Sequence, residues 1–352
     1  MKNIVLHIGT EKTATTSLQS FFSMNQATLK GMGIWYPCSE KLDYCHRNAH
    51  FPLAASVHGE CPDFIVPGKY FEPNILFSKL FDDFKERPER TLLLSAEHFS
   101  SRCSKPERLS RLGEIFDGHN VQVVVYLRPQ HELLLSAYST FLKSGGKKTL
   151  EEVSTQQWLR PGAIYFNYLR MLERWWGMFG KERITVRIFQ KQQFSGGDIY
   201  TDFLSVLGVD WQETLFIPER QNPPICKELA DFLYIANQHF PNFNEDDRKG
   251  WELGQRFRAE ITPLFPRGRP LKYLLPDELK ADTKAFFADY NTELAHSARP
   301  ELNGILFSDD DADSKMEGTE PDNYFCDEFV TWIIAQWKSG LSLKTKLHVA
   351  MG

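Results

Sequence analysis

The residues best placed for chemistry lie within the first seventeen. An apolar run, Ile4-Val5-Leu6-His7-Ile8, is followed by Gly9-Thr10-Glu11-Lys12-Thr13-Ala14-Thr15-Thr16, and Ser17 to Leu29 then reads as a helix. A strand, a polar loop and a helix start bring free backbone N–H groups and the positive end of a helix dipole to one spot, which suits a phosphate. The nucleotide triphosphatase form of this loop is G-x-x-x-x-G-K-[ST]. Aligned on Gly9, this chain has Ala14 at the second glycine, Thr15 at the lysine and Thr16 at the metal-binding hydroxyl, while its lysine is Lys12, in the crown. The group that would grip a β/γ-phosphate is displaced, so the loop is expected to hold a phosphate without hydrolysing ATP. Ala14 in place of glycine implies an ordinary backbone conformation there.

Two further segments bear on the same edge of the fold. Val123-Val124-Val125-Tyr126-Leu127 runs into Arg128, with Ser136 eight residues on. An arginine at the carboxyl end of a buried strand sits where ligands bind in open α/β sheets, and a guanidinium with a hydroxyl would suit a second phosphate. Thr91-Leu92-Leu93-Leu94-Ser95 is another buried strand and leads into Ala96-Glu97-His98-Phe99. Glu97 or His98 would then stand at that carboxyl edge.

These residues need a scaffold, and strand-like runs alternate with helix-like runs as a mostly parallel sheet requires. Gly31-Met32-Gly33 breaks the chain before Ile34-Trp35-Tyr36-Pro37, and residues 38 to 75 read as a turn-rich, irregular insert. Phe166 to Phe179 is an amphipathic helix stopped at Gly180, Ile184 to Phe189 is a strand, and Gly196-Gly197-Asp198 caps a helix to Leu207-Gly208. From Cys226 to about Asn291 the pattern is helical, with a Pro/Gly/Arg loop at Phe265 to Pro270. The reading is an α/β fold: a P-loop NTPase-like, mostly parallel central sheet with helices on both faces and a helical C-terminal extension. A main domain would span 1–305, an acidic flexible linker 306–322 and a helical tail 323–352. In the tail, Phe325, Phe329, Ile333, Ile334 and Trp337 recur at helical spacing, for docking on the domain or on a second copy as a homodimer.

At 352 residues with 42% hydrophobic and 25% charged residues, the composition is that of a globular protein. A net charge of −5 argues against a general polyanion surface and nucleic-acid binding, so affinity for an anion must be local. No secretory signal and no apolar run of membrane-spanning length are apparent, and a cytoplasmic location is expected. The six cysteines form no C-x-x-C pair and read as reduced thiols. Cys45, His46 and His50, with Cys38 and Cys61 nearby, have the donor types for zinc but the spacing of no common zinc module.

The loop Lys12-Thr13-Ala14-Thr15-Thr16-Ser17 and the pair Arg128 and Ser136 together resemble the sulfotransferases that use 3′-phosphoadenosine 5′-phosphosulfate (PAPS). In that family a K-[ST]-[GA]-T-T loop cradles the 5′-phosphosulfate and an R-x7-S strand–helix pair binds the 3′-phosphate. The resemblance is closest to bacterial and heparan-type members and continues through ERWWGMFGKERITVRIF and GGDIYTDFLSVLG, covering roughly residues 1 to 305. It implies PAPS as donor, PAP as product, no metal, and a hydroxyl acceptor that is a small molecule or glycan. Lys12 would neutralise the leaving oxygen, and Gly9, Thr13, Ala14, Thr15, Thr16 and Ser17 would line the 5′-phosphate.

Glu97 matches the glutamate that deprotonates the sugar hydroxyl in heparan-type relatives, with His98 as the alternative base and His46 or His50 as residues that could face the acceptor. Phe189 falls where relatives place an aromatic against adenine, and Arg267-Gly268-Arg269 resembles the basic loop that closes over the 3′-phosphate. Two other readings stay open: a small-molecule kinase, which would need a lysine at position 15 and a magnesium-binding carboxylate, and a non-catalytic nucleotide-binding or scaffold protein on the same fold.

Overall fold

The apolar runs form five parallel strands: β1 (Asn3–His7), β2 (Ile34–Trp35), β3 (Thr91–Ser95), β4 (Asn120–Leu127) and β5 (Ile184–Ile188), in the order β2-β3-β1-β4-β5. This computed structural model describes residues 2–10, 12–39, 41–58, 72–160, 162–219, 225–242, 247–265, 268–308 and 325–340. In chain order the helices are α1 (Thr15–Met24), α2 (Gln26–Gly31), α3 (Phe51–His58), α4 (Pro73–Lys85), α5 (His98–Arg102), α6 (Pro106–Ile115) and α7 (Gln130–Lys143). There follow α8 (Leu150–Val153), α9 (Tyr168–Phe179), α10 (Ile199–Val206), α11 (Lys227–Asn237), α12 (Arg248–Ile261), α13 (Asp277–Ala298) and α14 (Asp327–Lys338).

Two compact units share the chain. One comprises Met1–Pro129, Ile164–Gln221 and Phe287–Ser308, and the other Gln130–Ala163, Asn222–Phe286 and Asp309–Gly352. The first unit holds the whole sheet. Because side chains alternate along a strand, Val5, Leu93, Val124 and Tyr126 face one way and pack with Leu18, Phe21 and Phe22 of α1, Leu29 of α2 and Phe203 of α10. Ile4, Leu6, Leu92, Leu94, Val123 and Val125 alternate with them and are equally buried. On that side α9 meets β5 and α6, and α6 meets α3. β1 lies between β3 and β4, and the chain crosses from one side of it to the other, so its carboxyl end is the switch point of the sheet.

Two elements differ from the sequence reading. The helix expected over Ser17–Leu29 breaks at Asn25, whose side-chain nitrogen donates to the carbonyls of Phe21 and Phe216, each at 2.8 Å. Its Oδ1 accepts from the Phe216 N–H at 2.8 Å, so the residue at the break, with φ −104° and ψ 19°, clamps a segment 191 residues away. The irregular insert contains α3, because Phe51 to His58 turns Leu53, Ala54 and Val57 into the interior, and its later part, residues 59–71, lies outside the described residues.

The second unit is helical. α14 buries Val330, Ile333, Ile334 and Trp337 among Phe232, Phe240 and Phe257 of α11, its C-terminal end and α12. The Trp337 and Phe257 rings lie 5.2 Å apart, and Phe325 meets Phe232 edge-on at 5.4 Å. The apolar face of the C-terminal helix is thus taken up within its own unit. Residues 309–324, most of the acidic segment, are outside the described residues. Among the described residues, no helix is long and apolar enough to cross a membrane.

Candidate active site at the carboxyl edge of the sheet

The loop after β1 is built from the inside by its own hydroxyls. Thr10 Oγ1 donates to the Tyr126 carbonyl at 2.8 Å, and Thr13 Oγ1 donates to the Thr10 carbonyl at 2.7 Å; both threonines are fully buried. The crown turns through three left-handed residues, Gly9 (φ 51°), Lys12 (φ 73°) and Ala14 (φ 57°). Ala14 therefore corrects the expectation of an ordinary conformation: it occupies the left-handed region a glycine would favour, at a cost of about 1–2 kcal/mol. Alternating backbone hand is how a loop turns successive N–H groups towards one anion. The alternative, a right-handed Ala14, would continue α1 back into the loop.

At the start of α1 the N–H groups are left open among the described residues. Ala14 offers no side-chain cap, no acidic residue lies in the first turn, and Leu18 N–H to Ala14 O, at 3.0 Å, is the first helical bond. Thr15 is buried and its hydroxyl donates to Glu97 Oε2. Thr16 is exposed, and the Ser17 hydroxyl meets the phenol of Tyr200. Lys12 is half-buried, and its ammonium makes no ion pair among the described residues.

Arg128 holds the crown in place. Its Nη1 donates to the Lys12 carbonyl at 2.8 Å, and its own carbonyl accepts from the Tyr168 hydroxyl at 2.9 Å. Its guanidinium carbon lies 5.7 Å from the centre of the Phe189 ring, which is half-buried directly after β5 and packs edge-on to Phe194 at 5.5 Å. Behind them is a network the sequence reading did not find. Fully buried Asp202 accepts from Tyr126 Oη at 2.6 Å, from Arg187 Nε at 3.0 Å and from the Ser195 N–H at 2.7 Å. Burial, then the charge of Asp202, pushes the Tyr126 phenol far up, so it stays a donor. An aspartate three residues into α10, opposite a strand tyrosine and arginine, is the signal that could have exposed it.

Glu97 and His98 sit on the far side of the loop, both half-buried. The close approach is made at Gly9: a Cβ there would lie 2.7 Å from Thr15 Cγ2 and 3.3 Å from Glu97 Cα. The His98 ring lies 5.7 Å from Phe51, and Phe51 is 5.2 Å from exposed His46. His50 is a correction, since it cannot face an acceptor. It is fully buried, its Nδ1 accepts from the Ser95 N–H at 3.0 Å and its Nε2 donates to the Pro37 carbonyl at 2.9 Å. Burial pulls its pKa down to about 4, and both nitrogens are committed, which also speaks against zinc ligation. His7 is likewise structural: fully buried, bonded to Ser95 Oγ at 2.9 Å, its pKa drawn down by burial to about 3.

The remaining expected residues belong to the second unit. Ser136 is half-buried on α7. Arg269 is tied to Glu228, its Nε donating to Oε1 at 3.0 Å and its N–H to Oε2 at 2.9 Å. Burial opposes the Glu228 charge, but N–H donors from its own backbone and from Arg269 hold its carboxyl below the usual range. Gly268 is packed so closely that a Cβ would collide with Glu228 Oε2, and Arg267 lies outside the described residues. A cavity of about 430 Å³ opens at the opposite end of the sheet, between Phe116, His119 and Arg183, away from the loop's donors.

No family model matches the chain. An uncharacterised protein of Archaeoglobus fulgidus is 26% identical over 176 residues, which is 48% of this chain and 45% of that protein, so the match spans less than half the relative's length. The crystal structure of a sulfotransferase from Alicyclobacillus acidocaldarius overlaps 67% of this chain and 93% of its own, with a TM-score of 0.39 and 15% identity.

Proposed function

We propose that this chain is a sulfotransferase that moves the sulfuryl group of PAPS to a hydroxyl on a carbohydrate or glycoconjugate. One observation carries the reading: the open N-terminus of α1 stands behind a loop whose cation is Lys12, while position 15 is a buried threonine bonded to Glu97. A kinase loop would present its lysine from position 15, where no cation can emerge here. Bound PAPS would supply a sulfuryl group whose departure builds negative charge on the oxygen next to the 5′-phosphate.

Each side chain then has a role. The N–H groups of Thr15, Thr16 and Ser17, with the exposed Thr16 hydroxyl, hold the 5′-phosphate. Lys12 neutralises the leaving oxygen, a stabilisation aimed at the transition state. Arg128 fixes the crown through the Lys12 carbonyl and offers a guanidinium to the 3′-phosphate, with Phe189 beside it for the adenine. Ser136 is assigned to the 3′-phosphate on its R-x7-S spacing alone. Glu97 takes the proton of the acceptor hydroxyl, and its bond from Thr15 fixes where that carboxylate stands.

The test is thermal stabilisation by PAP and by ATP, followed by labelled PAPS against a panel of sugars, glycolipids and phenols. PAP alone is expected to stabilise the protein, and a sugar hydroxyl to take the label. ATP turnover without PAP binding would support a kinase, and PAP binding with no labelled acceptor a non-catalytic nucleotide-binding protein.

A further inference from the structure

We propose that Cys38 and Cys45 form a redox-sensitive modification site that reacts with low-molecular-weight disulfides and closes to an internal disulfide. The two sulfurs lie 2.9 Å apart, both as thiols, with Cys45 S–H donating to Cys38. Closing to a disulfide's bond length of ~2.05 Å needs the sulfurs to move together by less than about 1 Å. The surroundings divide the work between them. Cys38 is half-buried and reachable from solvent, whereas Cys45 is buried at 7% exposure. Hydrogen bonds from Cys45 and then Ser23 favour the Cys38 thiolate, and the same bond with burial holds Cys45 as a thiol. Thiolate character with access marks the attacking sulfur, and the buried neighbour is the resolving one.

The steps balance without any other oxidant. The Cys38 thiolate attacks one sulfur of the small disulfide, whose S–S bond breaks, leaving a mixed disulfide on Cys38 and one small thiolate. Cys45 then attacks Cys38 Sγ, releasing the second small thiol; the Cys45 proton goes to the departing sulfur. Two protein thiols are oxidised and one disulfide is reduced to two thiols.

The position gives this bond a consequence for the site edge. Cys38 Sγ lies 3.9 Å from Asn48 Oδ1, and the Tyr36 hydroxyl donates to the Asn48 carbonyl. Asn48 (φ 106°) and Arg47 (φ 52°) form a strained left-handed turn, closed by paired backbone bonds of 2.9 and 3.0 Å between His46 and Ala49. His50 follows at once and bonds through its N–H to the Ser95 carbonyl, 2.9 Å away at the end of β3. A Cys38–Cys45 bond therefore closes the chain just before the turn that hands on to His50, which is bonded to Ser95 two residues before Glu97.

The experiment incubates the full-length folded protein with graded oxidised glutathione, quenches with acid and maps the cysteines by peptide mass spectrometry. Exposed Cys326 is the reactivity control. A Cys38–Cys45 cross-linked peptide is expected at glutathione disulfide concentrations at or below those that modify Cys326, reversed by dithiothreitol. In Cys45→Ser, Cys38 is expected to stop as a glutathione adduct. The proposal is overturned if both thiols persist while Cys326 is fully modified, if wild-type Cys38 stops at the adduct, or if the bond formed joins Cys38 to Cys61.

Discussion

α1 and α10 lie side by side on one face of the same sheet, with Phe21 and Tyr200 rings 4.9 Å apart, yet they begin in opposite ways. α10 is closed by its own sequence: Asp198 Oδ1 accepts from the Tyr200 and Thr201 N–H groups at 2.8 and 2.9 Å, and Oδ2 from the Thr201 hydroxyl at 2.7 Å. α1 begins after a strained alanine with no cap and no acidic residue in its first turn. The cap on α10 satisfies its first N–H groups within the chain, whereas α1 leaves its own to solvent or to a ligand. A helix that leaves them open forgoes about 1 kcal/mol of capping and gains a place for an external anion.

The largest expected effect breaks the comparison on the α1 side. Lys12→Ala should lower kcat/KM for sulfuryl transfer by about 10²- to 10³-fold while PAP affinity changes far less, because a leaving-group cation acts in the transition state. Equal losses in both, read by labelled PAPS and PAP titration, would make Lys12 an anchor for the ground state instead. Gly9→Ala should come next, destabilising by about 2–4 kcal/mol from left-handed strain and overpacking against Thr15 and Glu97. Denaturant titration would show it, and PAP stabilisation should vanish with the loop.

Acid probes the sheet edge beneath both helices. His50 and His7 have native pKa values of about 4 and about 3, below the ordinary 6.5, so the unfolded chain binds their protons first as pH falls. Their contribution is complete above pH 6.5 and is lost on descending towards 4 and 3, at about 1.4 kcal/mol per pH unit for each histidine. Denaturation midpoints between pH 7.5 and 5 should fall accordingly. A flat profile would mean that the histidines are not buried as described. The smallest effect lies on the α10 side: Asp198→Ala should cost about 1 kcal/mol and leave PAP binding unchanged. A new anion site at α10 in that variant would show that an open helix start alone is sufficient, without Lys12 and Arg128.

Local chemistry made much of this legible. Gly180 stops α9 with φ 85°, Asp198 caps α10, and the strand–loop–helix at the N-terminus stands where its spacing put it. What escaped depends on distant partners. The break at Asn25 answers to Phe216, the burial of His50 to Ser95 and Pro37, and the tie on Arg269 to Glu228. Ala14 misled for another reason: intrinsic preference argued for an ordinary backbone, and the loop's anchors at Thr10, Thr13 and Arg128 override it. The place of Arg128 at a strand's carboxyl end suits a phosphate ligand, and no spacing rule shows that it also holds the Lys12 carbonyl.

The interleaving of the two units bears on how the chain is made. The first four strands are complete at residue 127, but β5 ends at 188, and its edge is tied by Arg299 to the Val186 carbonyl and by Ser308 to Gln190. The second unit opens at residue 130 and is finished by α14, where Trp337 Nε1 donates to Glu260 at 2.8 Å. During vectorial synthesis, then, the loop after β1 emerges before β5 and waits for that strand to complete the sheet. A chain cut before residue 325 would lose α14, so the core of the second unit cannot close until that helix has been made.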